Sequence, residues 1–289
     1  MNSKTEKLNS LTHEWFSRQP LKPERQKKLD KKFRLEFNYN SNHLEGNTLT
    51  FGETQRLLLL DQTKGEHDFR NYEEMKAHDV ALKKIIEVAA DKEFILSEGF
   101  IRDLNKIILV RPFWKDAITY DGEKTRKEVK IGEYKEHPNS VIQKNGEVFE
   151  YASPFETPML MQDLITWYRE HQEKNELQPI ELATLLHYKY IIIHPFDDGN
   201  GRIARLLVNY VMYKNNLPPI VIKSDDKKNY FRALQAADAG FIEDFLDYMQ
   251  EQLIWSLEIG IKAAKGENIE DEENFEERIL IHSRNNCKK

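Results

Sequence analysis

A chain of 289 residues with 49 acidic and 43 basic side chains carries a formal charge of −6, which argues against a dedicated nucleic-acid binder, whose footprint is a clustered basic face. Hydrophobic residues at 39% and charged residues at 32% fit a globular protein with a fair-sized core, built as one large domain or two small ones. The longest leucine run, Leu57 to Leu60, is far short of the ~20 apolar residues of a membrane span, and Met1 to Gln19 lacks the apolar stretch of a signal peptide.

In chain order, helical patterns dominate. Lys27-Lys28 and Lys31-Lys32 form the densest basic run, which helical spacing spreads over a solvated face. Thr50 and Glu53 read as a capping box that opens a helix through Arg56 to Leu60. Asn71 to Ala90 carries Met75, Val80, Leu82, Ile85, Ile86 and Val88 in a mostly helical pattern, and Ser97 precedes a segment where Ile101, Leu104, Ile107 and Ile108 keep that period. From about Tyr120 to Phe149 the chain reads as extended or turn, with a hairpin around Lys144-Asn145-Gly146, where Asn-Gly suits a tight turn. Pro158 to Glu170 is again helical. Pro179 sits at the first position of a buried helix ending near Ile193, although Tyr190 to Ile193 alone would also pass for a buried strand. Ile203, Leu206, Leu207, Tyr210 and Val211 recur at helical spacing, and the pattern ends at Asn215-Asn216 before Pro218-Pro219. Phe241 to Ile259 brings Phe245, Leu246, Met249, Leu253 and Leu257 onto one side. After Gly266 an acidic run reads as a linker to a short helical tail. Cys287, the only cysteine, lies in that tail, so no intrachain disulfide can form, which suits a reducing cytoplasm. The expected fold is mainly α with one small hairpin.

The densest chemistry lies between two of these helices, in His194-Pro195-Phe196-Asp197-Asp198-Gly199-Asn200-Gly201-Arg202-Ile203-Ala204-Arg205. The first amides of a helix lack internal partners and sit at the positive end of its dipole, so an anion is favoured there. Gly199 and Gly201 let the backbone turn sharply and approach a phosphate. Arg202 and Arg205 are three apart, and guanidinium forks suit phosphate oxygens. Asp198 is a hard oxygen ligand for Mg²⁺, which usually takes one or two carboxylates, and His194 can accept a hydroxyl proton near neutral pH. Taken singly, each feature has a plain structural reading: a helix cap, a turn, a solvated face.

Together they match, at every specified position, the H-x-F-x-[D/E]-G-N-G-R-x-x-R signature, and the chain resembles Fic-domain proteins, most of which transfer AMP from ATP to a protein hydroxyl. The resemblance implies a Fic fold, a helical bundle with a small β-hairpin flap and an N-terminal helical extension. It implies His194 as general base for a Ser, Thr or Tyr hydroxyl, and Phe196 as the anchor of the loop. Asp198 would hold Mg²⁺ against the α- and β-phosphates of the co-substrate ATP. Gly199, Asn200 and Gly201 would form an anion hole, Arg202 would contact the β-phosphate region, and Arg205 would bind the γ-phosphate.

Ser41-Asn42-His43-Leu44-Glu45-Gly46 is similar to the [S/T]-x-x-x-E-[G/N] inhibitory helix of some Fic proteins. By that resemblance Ser41, Glu45 and Gly46 form a brake in which Glu45 occupies the fork of Arg205; read alone, the segment is a short helix capped by Gly46. Gly132-Glu133-Tyr134-Lys135 and the strands near Val141-Ile142 and Val148-Phe149 resemble the flap that pairs with the backbone of a target protein, with Lys135 where the family often has Arg. Asn229 to Leu234 resembles the helix beside the adenine, with Tyr230 as the contact or as a core tyrosine. The expected organisation is an N-terminal helical region with the inhibitory segment (1–95), a Fic core (96–262) and an acidic linker with a helical tail (263–289). The expected function is an autoinhibited protein adenylyltransferase in the cytoplasm, with no nucleic-acid or membrane partner; homodimers occur in such a family. The alternatives are a Fic enzyme using another nucleotide donor or removing AMP, and a non-catalytic nucleotide-binding regulator.

Overall fold

The computed structural model describes residues 3–119, 122–142 and 148–270. Among these, the helices are α1 (Ser3–Ser17), α2 (Pro23–Leu44), α3 (Phe51–Leu60), α4 (Phe69–Ala90), α5 (Glu98–Leu109), α6 (Thr157–Lys174), α7 (Pro179–Ile193), α8 (Asn200–Lys214), α9 (Lys227–Asp238) and α10 (Ile242–Lys265). Between α5 and α6 lie two antiparallel ribbons, β1 (Phe113–Ile118) with β2 (Lys124–Val129) and β3 (Ser140–Ile142) with β4 (Val148–Glu150). The fold is mainly helical, as expected, but it carries a ribbon that starts before the stretch read as extended. The Lys144 to Gly146 turn and the tail beyond Glu270 lie outside the described residues.

Local chemistry sets many boundaries. The capping box is formed: Glu53 N–H donates to Thr50 Oγ1 (3.3 Å), and Thr50 N–H donates to Glu53 Oε2 (2.9 Å). Ser97 caps α5 through Phe100 N–H (3.2 Å). Tyr190 to Ile193 continue α7, because helix hydrogen bonds already begun upstream are cheaper to extend than a strand is to pair. The inhibitory segment is no short helix. Ser41 lies in the last turn of a 22-residue helix that ends with Glu45 as cap and Gly46 at φ 94°.

One apolar cluster runs through most of the molecule. It joins Leu8 and Trp15 of α1, Leu29, Phe33 and Phe37 of α2, and the inner faces of α4 to α10. α1 and α2 therefore share the core, whereas Leu57 of α3 packs with Leu49, Tyr72 and Met75 in a smaller cluster of its own. Trp15 shows how closely α1 docks: it donates to Asn216 O (2.9 Å), and a Cβ at Gly260 would meet its ring at 2.6 Å. α8 is the centre of the bundle, with Ile203, Ala204, Leu206, Leu207 and Tyr210 all at 0% exposure. No described helix is long and apolar enough to cross a membrane.

Candidate active site

The signature loop begins where α7 stops. His194 is the cap residue, at φ 50°, with its amide on Tyr190 O (3.0 Å). A non-glycine residue in the left-handed region costs of order 1 kcal/mol and persists only where neighbours over-determine it. Here they do. Lys135 grips the carbonyls on either side, its amide donating to Pro195 O (2.8 Å) and its Nζ to Ile193 O (2.9 Å). Phe196 is fully buried against Tyr134. Asn200 closes the loop on itself by accepting from Phe196 N–H (3.0 Å) and donating to Phe196 O (2.7 Å). Asn139 also donates to Phe196 O, and Asn105 donates to Asp198 O (2.9 Å each). Gly199 takes φ 84°, and a Cβ there would press on Ile108.

Beyond this frame α8 presents its first turn. Its first intrahelical bond at the loop is Ile203 N–H to Gly199 O (3.0 Å), so the amides of Asn200, Gly201 and Arg202 precede it, as an anion-accepting turn requires. Arg202 and Arg205 are each 3% exposed. Arg202 donates to Glu74 Oε2 and to Asp198 Oδ1 (3.1 Å each). Asp198 Oδ1 also accepts from Gly199 N–H (2.6 Å), and Oδ2 accepts from Lys115 Nζ (2.9 Å).

Arg205 is held from α2. Its Nη2 donates to Glu45 Oε1 (2.7 Å) and Ser41 O (2.8 Å), and its Nε donates to Ser41 Oγ (3.0 Å). Burial opposes ionisation of Glu45, but the charges of Arg205 and Arg202 outweigh it and hold the carboxyl below its ordinary range. Gly201 leaves room for this contact, since a Cβ there would collide with Glu45 Oε1. Behind Ser41 stands His78, whose Nε2 is 3.0 Å from Ser41 Oγ and whose Nδ1 is 2.6 Å from Asn38 Oδ1. The Asn38 amide nitrogen is committed to Arg34 O and Asp79, so Oδ1 faces the ring and the proton is assigned to Nδ1. Burial first, and then Arg202 and Arg205, keep His78 neutral. Ser41 therefore accepts from Arg205 and donates to His78.

His194 stacks on Tyr151 at 4.0 Å between ring centroids. Burial, reinforced by the Lys135 charge, lowers its pKa to about 4, so the imidazole is neutral near pH 7. Lys135 is itself pushed down to about 8 by burial. Tyr230 does not occupy the open position a base-stacking ring needs. It is 2% exposed, 2.8 Å from His187 Nε2, and packed among Phe245 and Tyr248. The exposed ring on α9 is its neighbour Phe231, at 45%.

The structure thus brings His194, Asp198, Gly199, Asn200, Gly201, Arg202 and Arg205 into one junction, with Ser41 and Glu45 against it. Sequence reasoning missed Lys115, Lys127, Glu74, His78, Asn105 and Asn139, which lie in other segments and carry no local motif.

Comparison with known proteins agrees with this geometry. The profile of the Fic/DOC family matches residues 95–212, from just before α5 to near the end of α8. A crystal structure of a Fic-domain-containing signalling protein from Bacteroides thetaiotaomicron superposes with a TM-score of 0.85 at 50% identity, covering 92% of this chain and 99% of that one. A protein adenylyltransferase of Caenorhabditis elegans is 26% identical over 234 residues, 80% of this chain and 42% of that protein. One of Drosophila grimshawi is 30% identical over 214 residues, 74% of this chain and 40% of that protein. The chain therefore spans about two fifths of the length of these curated relatives.

Proposed function

The chain belongs to the Fic/DOC family, and from that premise we propose that it is a protein adenylyltransferase, moving AMP from ATP to a Ser, Thr or Tyr hydroxyl of a target protein and restrained by Glu45. The observation that carries the reading is the junction itself: a neutral histidine beside unpaired helix-start amides and two buried arginines.

In this reading His194 accepts the proton of the attacking hydroxyl. Its low pKa keeps it unprotonated, and the Lys135 clamp fixes its direction. The oxygen attacks the α-phosphorus, the P–O bond to the β-phosphate breaks, and pyrophosphate leaves. The amides of Asn200, Gly201 and Arg202 take phosphate oxygens without reorganising, because the Asn200 and Asn105 bonds already hold the loop. Arg202 and Arg205 meet the outer phosphates.

Asp198 suits Mg²⁺ as one carboxylate of a site completed by phosphates. Among the described residues no group of three His, Cys, Asp or Glu side chains could cage a metal unaided. Bound there, Mg²⁺ would neutralise charge at the α- and β-phosphates.

The brake is competition for one guanidinium. Glu45 fills the Arg205 fork, so ATP must displace it to bind through its γ-phosphate. The target would lie along β3–β4, whose three-residue strands leave edges open to backbone pairing, close to Tyr151 and so to His194. For the adenine, the exposed ring of Phe231 is a better candidate than Tyr230. A cytoplasmic location fits the use of ATP.

The test is label transfer to purified Glu45→Gly protein from α-³²P-ATP and from γ-³²P-ATP, with unlabelled ATP, CTP, GTP and UTP as competitors. Label from the α position alone, competed best by ATP, is expected. Label from the γ position would mean phosphorylation and would overturn the reading; competition by another nucleotide would change the donor.

A further inference from the structure

The β1–β2 ribbon carries two lysines directly opposite one another: Lys115 pairs in register with Lys127. Like charges facing across an antiparallel pair repel, and ribbons usually avoid them. Its other face has the ordinary arrangement, Asp116 opposite Arg126 and Trp114 opposite Glu128. The lysine face is turned to the signature loop. Lys115 Nζ lies 2.9 Å from Asp198 Oδ2, and Lys127 pairs with Asp197. At the root of the ribbon, Val129 is 1% exposed and Arg70 lies over the Phe113 ring, so the ribbon is anchored beside the loop.

The charge balance around the loop is informative. Arg202 is matched by Glu74 and Asp198, Arg205 by Glu45, Lys115 by Asp198, and Lys127 by Asp197. Glu74 is shared with Arg70 as well, so each of these cations is already matched to a carboxylate. A triphosphate can be accommodated here only if some of these pairs exchange partners. Lys115 is the readiest to exchange, because its side chain is 58% exposed on a flexible stem. It also shares Asp198 with Arg202, the arginine assigned to the β-phosphate, so it stands on that side of the loop.

We propose that Lys115 is a phosphate-binding residue, delivered by the β1–β2 ribbon to the β-phosphate of the nucleotide, with Lys127 supporting it from the opposite strand. Asp198 and Asp197 hold the two ammonium groups until a nucleotide arrives. Were Asp198 to serve as a carboxylate for Mg²⁺, Lys115 would be released to take a phosphate oxygen. The ribbon thereby reports phosphate number, distinguishing di- and triphosphates from AMP. This inference rests on the reading of the loop as a nucleotide site.

The test is calorimetric titration of the full chain carrying Glu45→Gly, so that Arg205 is released from its carboxylate, with ATP, ADP and AMP in the presence of Mg²⁺. Adding Lys115→Met should weaken ATP and ADP about tenfold, the worth of one charge-assisted hydrogen bond, and leave AMP within about twofold. Lys115→Arg should restore most of the loss, and Lys127→Met should cost about threefold. Methionine keeps the length of the stem at an exposed position, so the melting temperature should not move. Unchanged ATP affinity in Lys115→Met would overturn the proposal. Tighter ATP binding would also overturn it, showing that the lysine merely competes for Asp198. Failure of Glu45→Gly itself to bind any nucleotide would instead defeat the nucleotide reading, and this inference with it.

Discussion

The back and the front of the signature loop are held by different kinds of interaction. At the back, Phe196 is buried, Asn200 closes the turn, and Asn105, Asn139 and Lys135 bind loop carbonyls. Apart from the Lys135 ammonium, these are neutral, sequestered contacts that a ligand cannot replace. At the front, Arg202, Arg205, Lys115 and Asp198 are held by ion pairs whose partners a polyphosphate and its cation can substitute. Geometry and exchangeable charge are thus kept apart. In the proposed function the loop trades its counterions without losing its shape, and Glu45 acts as a restraint without being part of the frame.

That division can be broken first at His194, which joins the two halves. His194→Ala should lower transfer by about 10² to 10⁴-fold, the usual value of a positioned base, while ATP affinity stays within about twofold. Paired label-transfer and titration measurements check this; loss of binding along with activity would make His194 part of the frame. The next effect is on stability against pH. His187 and His194 have folded-state values lowered to about 3 and about 4 by burial, against about 6.5 when unfolded. Between those limits the unfolded chain binds more protons. The stability is therefore fully present above about 6.5 and is lost as pH falls towards 4, by about 1.4 kcal/mol per unit for each histidine. Urea denaturation at pH 7, 6 and 5 should show this slope; a flat profile would contradict it.

A smaller effect is expected at the back of the loop. Asn200→Ala strands the buried N–H of Phe196, leaves its C=O with only the Asn139 bond, and should cost about 2 kcal/mol by denaturation, with transfer lost because the turn is no longer held. At the front, Glu45→Gly should raise automodification about tenfold or more and cost less stability than Asn200→Ala, since Ser41 still holds Arg205. If the Glu45 change proves the more destabilising of the two, the separation between frame and counterion fails.

Much of this loop was legible because its chemistry is local. The dozen residues from His194 to Arg205 carry their own turn, cap and charges, and the box at Thr50-Glu53 and the apolar period after Ser97 marked their helices. Three things were not legible, for different reasons. The length of α2 was hidden by Asn38, Asn40 and Asn42, poor helix formers. In the structure their amides donate to Arg34 O, Glu36 O and Asn38 O one turn back, and all three side chains are buried. The β1–β2 ribbon was hidden because Lys124 to Val129 is mostly charged and has no alternating apolar face; its pairing comes from a partner strand and a buried root. Lys115, Asn105, Glu74 and His78 were hidden because they reach the loop from distant segments, which neither spacing nor composition can join. For Tyr230 the sequence left an adenine contact and a core tyrosine open; in the structure α9 turns that ring inward and Phe231 outward.

In the proposed function the loop from His194 to Arg205 transfers AMP, and Glu45 restrains it by occupying Arg205. The most direct measurement is intact-mass spectrometry of the purified chain after incubation with ATP and Mg²⁺, comparing wild type, Glu45→Gly, and Glu45→Gly with His194→Ala. The mass increment of AMP on Glu45→Gly, scarce on wild type and absent from the double variant, is the predicted result. Equal modification of wild type and Glu45→Gly, or modification that survives loss of His194, would contradict the account.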